Sequence, residues 1–198
     1  MSQLPLHIDV HDKVILVVGA GAVACRKLRA LLAAQASVRV VAPAMNPEIA
    51  ALSASGTVTT RTGHYQASDL EGVFMAVATT NDGEVNRTVA KDAQQRGILV
   101  AVADAPELST CTFPAVLRRG NLEISVATGG RCPAFAALVR DVLATVIGDD
   151  YGIALERLAL EREKLLTEGN GSTYNKKVIR DYAMRLINEL TEHKEQVP

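Results

Sequence analysis

Along the first hundred residues, short apolar runs alternate with stretches of helical spacing. Lys13 to Val18 (KVILVV) is an apolar run ending at a glycine, the pattern of a parallel strand buried on both faces. From Val23 to Gln35 the spacing of Val23, Leu28, Leu31 and Leu32 predicts a helix with one apolar face. Ser37 to Ala42 reads as a second strand, closed by Pro43, and β-branched Thr57 to Arg61 as a third. Val73 to Ala78 predicts a fourth strand, Asp82 to Arg96 a helix that stops at Gly97, and Ile98 to Ala103 a fifth strand. This alternation implies right-handed crossovers and a parallel sheet with both faces covered. The expected fold class is α/β, a Rossmann-like sheet of order 3-2-1-4-5. Its ligands should meet the carboxyl ends of strands one, two, four and five.

The pattern changes after Pro106. Leu122 to Ala127 alternates apolar and polar positions, as a half-exposed strand does. Helices are predicted over Pro133 to Ile147, Tyr151 to Thr167 and Thr173 to His193, the last two separated by Glu168 to Ser172. This amphipathic tail cannot cover its own apolar face, so it needs the sheet, a twin subunit, or both. The expected divisions are 1–113, 114–148 and 149–198.

Composition narrows the ligand classes. The 198 residues are 48 % hydrophobic and 22 % charged, with a net charge of −1. Such a balance gives no reason to expect nucleic acid or an anionic membrane as partner. No apolar run approaches the ~20 residues of a membrane span. Met1 to Asp12 lacks the basic-then-apolar layout of a signal peptide, so a cytoplasmic location is expected. Cys25, Cys111 and Cys132 are far apart and form no CxxC pair. They read as small buried thiols, with neither a disulfide framework nor a zinc site expected.

The sharpest local feature is Gly19-Ala20-Gly21-Ala22-Val23-Ala24, between an apolar strand and a helix. Gly19 permits a tight turn, Gly21 leaves room for a pyrophosphate, and Ala24 keeps the helix close to the strand. The helix N-terminus offers unpaired N–H groups to phosphate. The turn therefore reads as a dinucleotide site. The acidic residue that commonly grips the ribose after strand two is absent, since the sequence there is Val40-Val41-Ala42-Pro43-Ala44. Arg39 could favour a 2′-phosphate, but it lies within the strand and reads as a surface residue. NAD is the expected cofactor.

Other strand ends carry candidate chemistry. Thr79, Thr80, Asn81 and Asp82 could cap the following helix, face the cofactor ribose, or do both. Asp104, ending strand five, is placed for proton transfer or simply stabilises its turn. Thr128-Gly129-Gly130-Arg131-Cys132-Pro133 is either an anion site, with Arg118 and Arg119 as possible neighbours, or a strand-to-helix turn. His7, Asp9 and His11 alternate as metal ligands might. Leu4, Leu6, Ile8 and Val10 on the opposite face make a half-buried edge segment the better reading, and no metal site is expected.

Taken together, these stretches resemble the precorrin-2 dehydrogenases of siroheme biosynthesis, including the N-terminal part of siroheme synthases. The matching residues are Leu4-Pro5-Leu6, Val17 to Lys27, Ala78 to Asp82, Asp104-Ala105-Pro106, Phe113-Pro114-Ala115 and Ile124 to Pro133, in family order. The resemblance implies an NAD domain, a dimerisation segment over 114–148, a helical module and a homodimer. It implies oxidation of the tetrapyrrole precorrin-2 to sirohydrochlorin, with Asp104 matching the family's essential aspartate. In some members it also implies ferrous iron insertion, with the iron as substrate. Cofactor contacts would come from Gly19, Ala20, Gly21, Ala22, Val23, Pro43, Ala44, Thr79, Thr80 and Asn81. Substrate contacts would come from Thr128, Gly129, Gly130 and Arg131. The sequence stops at Pro198 without a methyltransferase domain, so a fused synthase is not expected. Two other readings remain: dehydrogenation without chelation, and a non-catalytic NAD-sensing regulatory domain.

Overall fold

The computed structural model describes residues 3–168 and 176–195. The chain divides into two compact units, Met1–Phe113 and Pro114–Pro198.

In the first unit the order is β1 (Val14–Val18), α1 (Ala22–Ala33), β2 (Ser37–Ala42), α2 (Pro47–Ala54), β3 (Thr59–Thr62), β4 (Met75–Ala78), α3 (Gly83–Gln95) and β5 (Leu99–Val102). All strand pairings are parallel and the sheet order is β3-β2-β1-β4-β5, as the alternation predicts. The two-residue period of β1 divides the core. Ile15 and Val17 pack with Leu28, Val38, Val40 and Ile49 on one face, while Leu16 and Val18 join Ala76, Ala78, Val89, Ala90 and Val100 on the other. Small residues at 76, 78, 90 and 93 keep α3 close to the sheet.

Between β3 and β4 only a 3-10 turn, Ala67–Leu70, crosses over. Arg39 from β2 donates to the carbonyls of Asp69 (3.2 Å) and Glu71 (3.5 Å), and Arg61 from β3 pairs with the buried Asp69 carboxylate. Burial opposes the Asp69 charge. Hydrogen bonds from Arg61 and the Gln66 N–H outweigh it and hold the carboxyl below its ordinary range. Arg39 is therefore a half-buried brace for the crossover, where the sequence suggested a surface residue.

The open edge of β5 is protected by side chains. Ser109 Oγ accepts from Val102 N (2.9 Å) and Thr110 Oγ1 accepts from Val100 N (2.8 Å), so two hydroxyls stand where a neighbouring strand would be.

The second unit contains the antiparallel hairpin β6 (Ala115–Arg119) and β7 (Leu122–Val126), then α4 (Pro133–Val146), α5 (Asp150–Glu168) and α6 (Lys176–Glu195). The start predicted for the last helix, Thr173, and most of the break before it lie outside the described residues. No described helix is long and apolar enough to cross a membrane.

Two expectations about side chains are corrected. Leu4 and Leu6 are 77 % and 68 % exposed and the segment forms no strand, so it is not a half-buried edge. The sheet's own edges are β3 and β5, and this segment pairs with neither. Of the three thiols only Cys25 is buried. Cys111 is half-buried, and Cys132 is exposed because it is the N-cap where a loop meets α4.

Candidate functional site

In the first unit the sheet gathers the candidate residues at one edge. Gly19 to Val23 follow β1, Pro43 and Ala44 follow β2, Thr79 to Asn81 follow β4, and Asp104 follows β5. The expected placement rests on the topology, because neighbouring parallel strands all end their carboxyl sides there.

The two glycines of the turn have different surroundings. Gly19 has φ +104°, and a Cβ on it would lie 2.9 Å from the Thr79 carbonyl. At Gly21 a Cβ would meet no protein atom within 4 Å. The open space lies where the backbone must approach a pyrophosphate, so the turn fits a dinucleotide. Gly21 caps α1 without a side-chain hydrogen bond, and the first turn holds no acid. The leading N–H groups of α1 therefore lack a protein carboxylate. At α3 the reverse holds, since Asp82 Oδ1 accepts from the N–H groups of Glu84 (2.8 Å) and Val85 (3.3 Å).

At the end of β2, Pro43 and Ala44 are exposed. Asn46 caps α2 by accepting from Glu48 N, and Glu48 forms a two-pronged pair with Arg29 at 2.8 Å on each arm. The first acid beyond β2 is thus tied to α1 by that pair.

The loop after β4 is strongly braced. Buried Thr79 donates its hydroxyl to the Val18 carbonyl (3.0 Å). Thr80 is held by Asn86, whose amide is buried in α3 and was not singled out from sequence. Asn81 remains exposed. Asp104 is exposed too and adopts φ +63°, a left-handed conformation that Asp tolerates better than most residues. Ala103 N donates to the Ala78 carbonyl (2.8 Å), so Asp104 leaves β5 beside the point where the Thr79 loop leaves β4.

Residues 6–115 match a family described as "Putative NAD(P)-binding". The chain belongs to this NAD(P)-binding family. Its relatives include siroheme synthases of Chromobacterium violaceum, 44 % identical over 77 % of this chain and 32 % of the relative, and of Nitrosomonas europaea, 38 % identical over 83 % and 35 %. The chain thus spans about a third of the length of the curated relatives it matches. The solved structure "SirC, precorrin-2 dehydrogenase" shares the fold, with TM-score 0.72 and 24 % identity over 94 % of this chain and all of that one.

The NAD(P)-binding unit holds one further cluster that sequence did not reveal. The ammonium of Lys27, on α1, stands 4.0 Å from the Phe113 ring centroid, and Cys111 Sγ lies 3.8 Å from Met75 Sδ. Burial and neighbouring Arg26 lower the Lys27 pKa to about 8, with the Cys111 thiol pulling the other way. Burial raises the Cys111 pKa to about 11. No sequence signal marks them, because the contacts join residues 36 and 86 positions apart in the chain.

In the second unit, Thr128-Gly129-Gly130-Arg131 forms a tight turn closed by Arg131 N to the Thr128 carbonyl (3.1 Å). Both glycines have positive φ, +61° and +78°, as the turn demands. The Thr128 hydroxyl accepts from Cys132 N (3.2 Å), and Arg131 is exposed. Arg118 and Arg119 are not its neighbours. Arg118 pairs with Glu123 across the hairpin, and Arg119 donates to the Ile147 and Ala144 carbonyls. That places Arg119 at the C-terminus of α4, roughly 20 Å of helix from the turn that begins it. Among the described residues no group of three or more His, Cys, Asp or Glu could hold a metal ion.

Proposed function

We propose that this protein oxidises precorrin-2 to sirohydrochlorin in siroheme biosynthesis, with NAD as the electron acceptor. The observation that carries the reading is Asp104, exposed in a left-handed turn at the same sheet edge as the open space beside Gly21. The siroheme synthase relatives supply the substrate class.

Precorrin-2 loses two electrons and two protons. NAD, when bound, takes the hydride. The chain's own part is to hold and to accept a proton. The amides of Ala22 and Val23, with Pro43, Ala44 and the Thr79 to Asn81 loop, bind the dinucleotide. Asp104 takes the remaining proton. The turn from Thr128 to Arg131 binds substrate carboxylates through its backbone and the Arg131 guanidinium. NAD is preferred to NADP because Arg39 and Arg61, the basic residues of β2 and β3, are engaged by the crossover.

The proposal extends to ferrous iron as a second substrate, because the relatives are named for a product that contains it. Asp104 would then receive a pyrrole proton as the metal enters. A homodimer is proposed through the 114–148 segment, with 149–198 as a helical module. Phe135, Leu138, Val142 and Val146 form one exposed apolar stripe on α4, each at least 55 % accessible, for a second copy to cover. Three unpaired thiols favour a reducing compartment such as the cytoplasm.

The test is to mix the protein with precorrin-2 and NAD, follow the tetrapyrrole spectrum, and then add ferrous iron. Sirohydrochlorin formation is expected. An unchanged spectrum with NAD would overturn the dehydrogenase, while sirohydrochlorin that persists with iron would overturn only the chelatase. Light scattering tests the dimer, and Leu138→Glu with Val142→Glu is expected to give a monomer.

A further inference from the structure

Asn86 sits on α3, 7 % exposed, and is not itself among the residues assigned above to the cofactor, although it bonds to one of them. Both ends of its amide engage one neighbour. Oδ1 accepts from the Thr80 N–H (3.2 Å) and hydroxyl (2.8 Å), while Nδ2 donates to the Thr80 carbonyl (3.0 Å). Thr80 Oγ1 in turn accepts from Asp82 N (3.2 Å), and Asp82 caps α3. On the other side of the loop, Thr79 is pinned to Val18 and rests against Gly19. Both flanks of Asn81 are therefore fixed, and Asn81 itself is exposed and makes no hydrogen bond among the described residues.

A helix needs one cap, and Asp82 already provides it. The additional buried amide fixes the main chain of the residue that precedes Asn81. We infer that Asn86 is a positioning residue for the dinucleotide: it holds the Thr80–Asn81 backbone in the shape that presents the Asn81 side chain to the cofactor. This rests on the NAD reading of the glycine turn.

The experiment measures NADH affinity by fluorescence, together with melting temperature and steady-state kinetics, for wild type, Asn86→Asp, Asn81→Ala and the double variant. Asn86→Asp keeps the size and an acceptor but loses the Nδ2–H donor. Its NADH Kd and its KM for NAD are expected to rise about tenfold, with kcat changed less than about twofold. The double variant should bind no worse than its weaker parent, since both changes remove one contact. A lower melting temperature with unchanged Kd would make Asn86 a purely structural residue and overturn the inference, as would additive losses in the double variant. Should Asn86→Asp fail to fold, Thr80→Val removes the hydroxyl half of the pair and must weaken NADH binding for the inference to stand. Wild type that binds no NADH would overturn the cofactor reading and this inference with it. Normal wild-type binding with an unaffected Asn86→Asp would overturn this inference alone.

Discussion

Gly19 and Thr79 touch so closely that no side chain fits between them: a Cβ at Gly19 would lie 2.9 Å from the carbonyl carbon, the carbonyl oxygen and Oγ1 of Thr79. Two strand ends therefore meet through a glycine that also needs φ +104°. Gly21, two residues on, has an ordinary φ of −84° and open space. The same substitution should thus fail in two different ways. Gly19→Ala is expected to cost about 3 kcal/mol of stability or more, from backbone strain plus overpacking. Gly21→Ala should stay within about 1 kcal/mol of wild type but weaken NADH binding, because its methyl occupies the space left for the pyrophosphate. Chemical denaturation and NADH titration of both variants check this. Equal stabilities would contradict the packing role of Gly19.

Asp104 holds φ +63°, a conformation Asn adopts as readily as Asp and Ala less so. Asp104→Asn therefore removes the carboxylate with little disturbance of the turn. NADH affinity should stay within about twofold, while sirohydrochlorin formation falls by about 10²–10⁴, the usual worth of a positioned acid or base. Asp104→Ala should lose the same activity and add about 1 kcal/mol of strain. Wild-type turnover in the Asn variant would remove Asp104 from the mechanism.

The sheet order was readable because β1, β2, β4 and β5 are predominantly apolar runs, β3 is marked by β-branched threonines, and the crossovers through α1 and α3 show a helical period. What escaped was coded by polar or small residues. α2 (PEIAALSA) buries only Ile49, so it has almost no apolar face, although Asn46-Pro47-Glu48 is a start signal for a helix. β6 escaped because its partner β7 was read alone. The Gly120-Asn121 pair between them is a two-residue hairpin signal, with positive φ at Gly120. At the candidate site, the glycine turn and Asp104 stand out by residue type and strand position. Asn86 does not, because its role depends on a side chain folding back onto a loop.

Gly152 is a helical residue whose replacement by alanine should raise stability by about 1 kcal/mol on propensity alone. Its surroundings reverse that sign. A Cβ there would overlap the Arg119 carbonyl oxygen and lie 2.8 Å from its carbon, so α5 would have to move off the end of β6. Arg119 is simultaneously anchored through its guanidinium to the carbonyls of Ala144 and Ile147, which leaves it little freedom to give way. Gly152→Ala is expected to destabilise by about 2 kcal/mol or more. Hydrogen exchange should show lost amide protection in β6 and α5. A stabilised variant would mean that this contact yields easily.

Lys27 gives a pH signature with a definite sign. Its pKa falls from the ordinary 10.5 to about 8 because folding partly buries the ammonium and Arg26 lies near it, with the Cys111 thiol only partly opposing the fall. Below about pH 8 both folded and unfolded chains carry the proton, and the folded state bears the burial cost. Between about 8 and 10.5 the unfolded chain binds more protons than the folded one, so stability rises with pH. Cys111, raised from 9.0 to about 11, contributes the opposite slope between those values. Lys27 holds the thiol pKa down, so Lys27→Met raises it further and steepens that downward slope in the variant, which closes the gap in the same direction. Lys27→Met keeps the apolar stem over Phe113 and removes the charge. It should be more stable than wild type at pH 7, with the gap closing as pH rises towards 10. Urea denaturation of both proteins across that range measures the gap, and a gap independent of pH would show that folding does not bury the Lys27 charge.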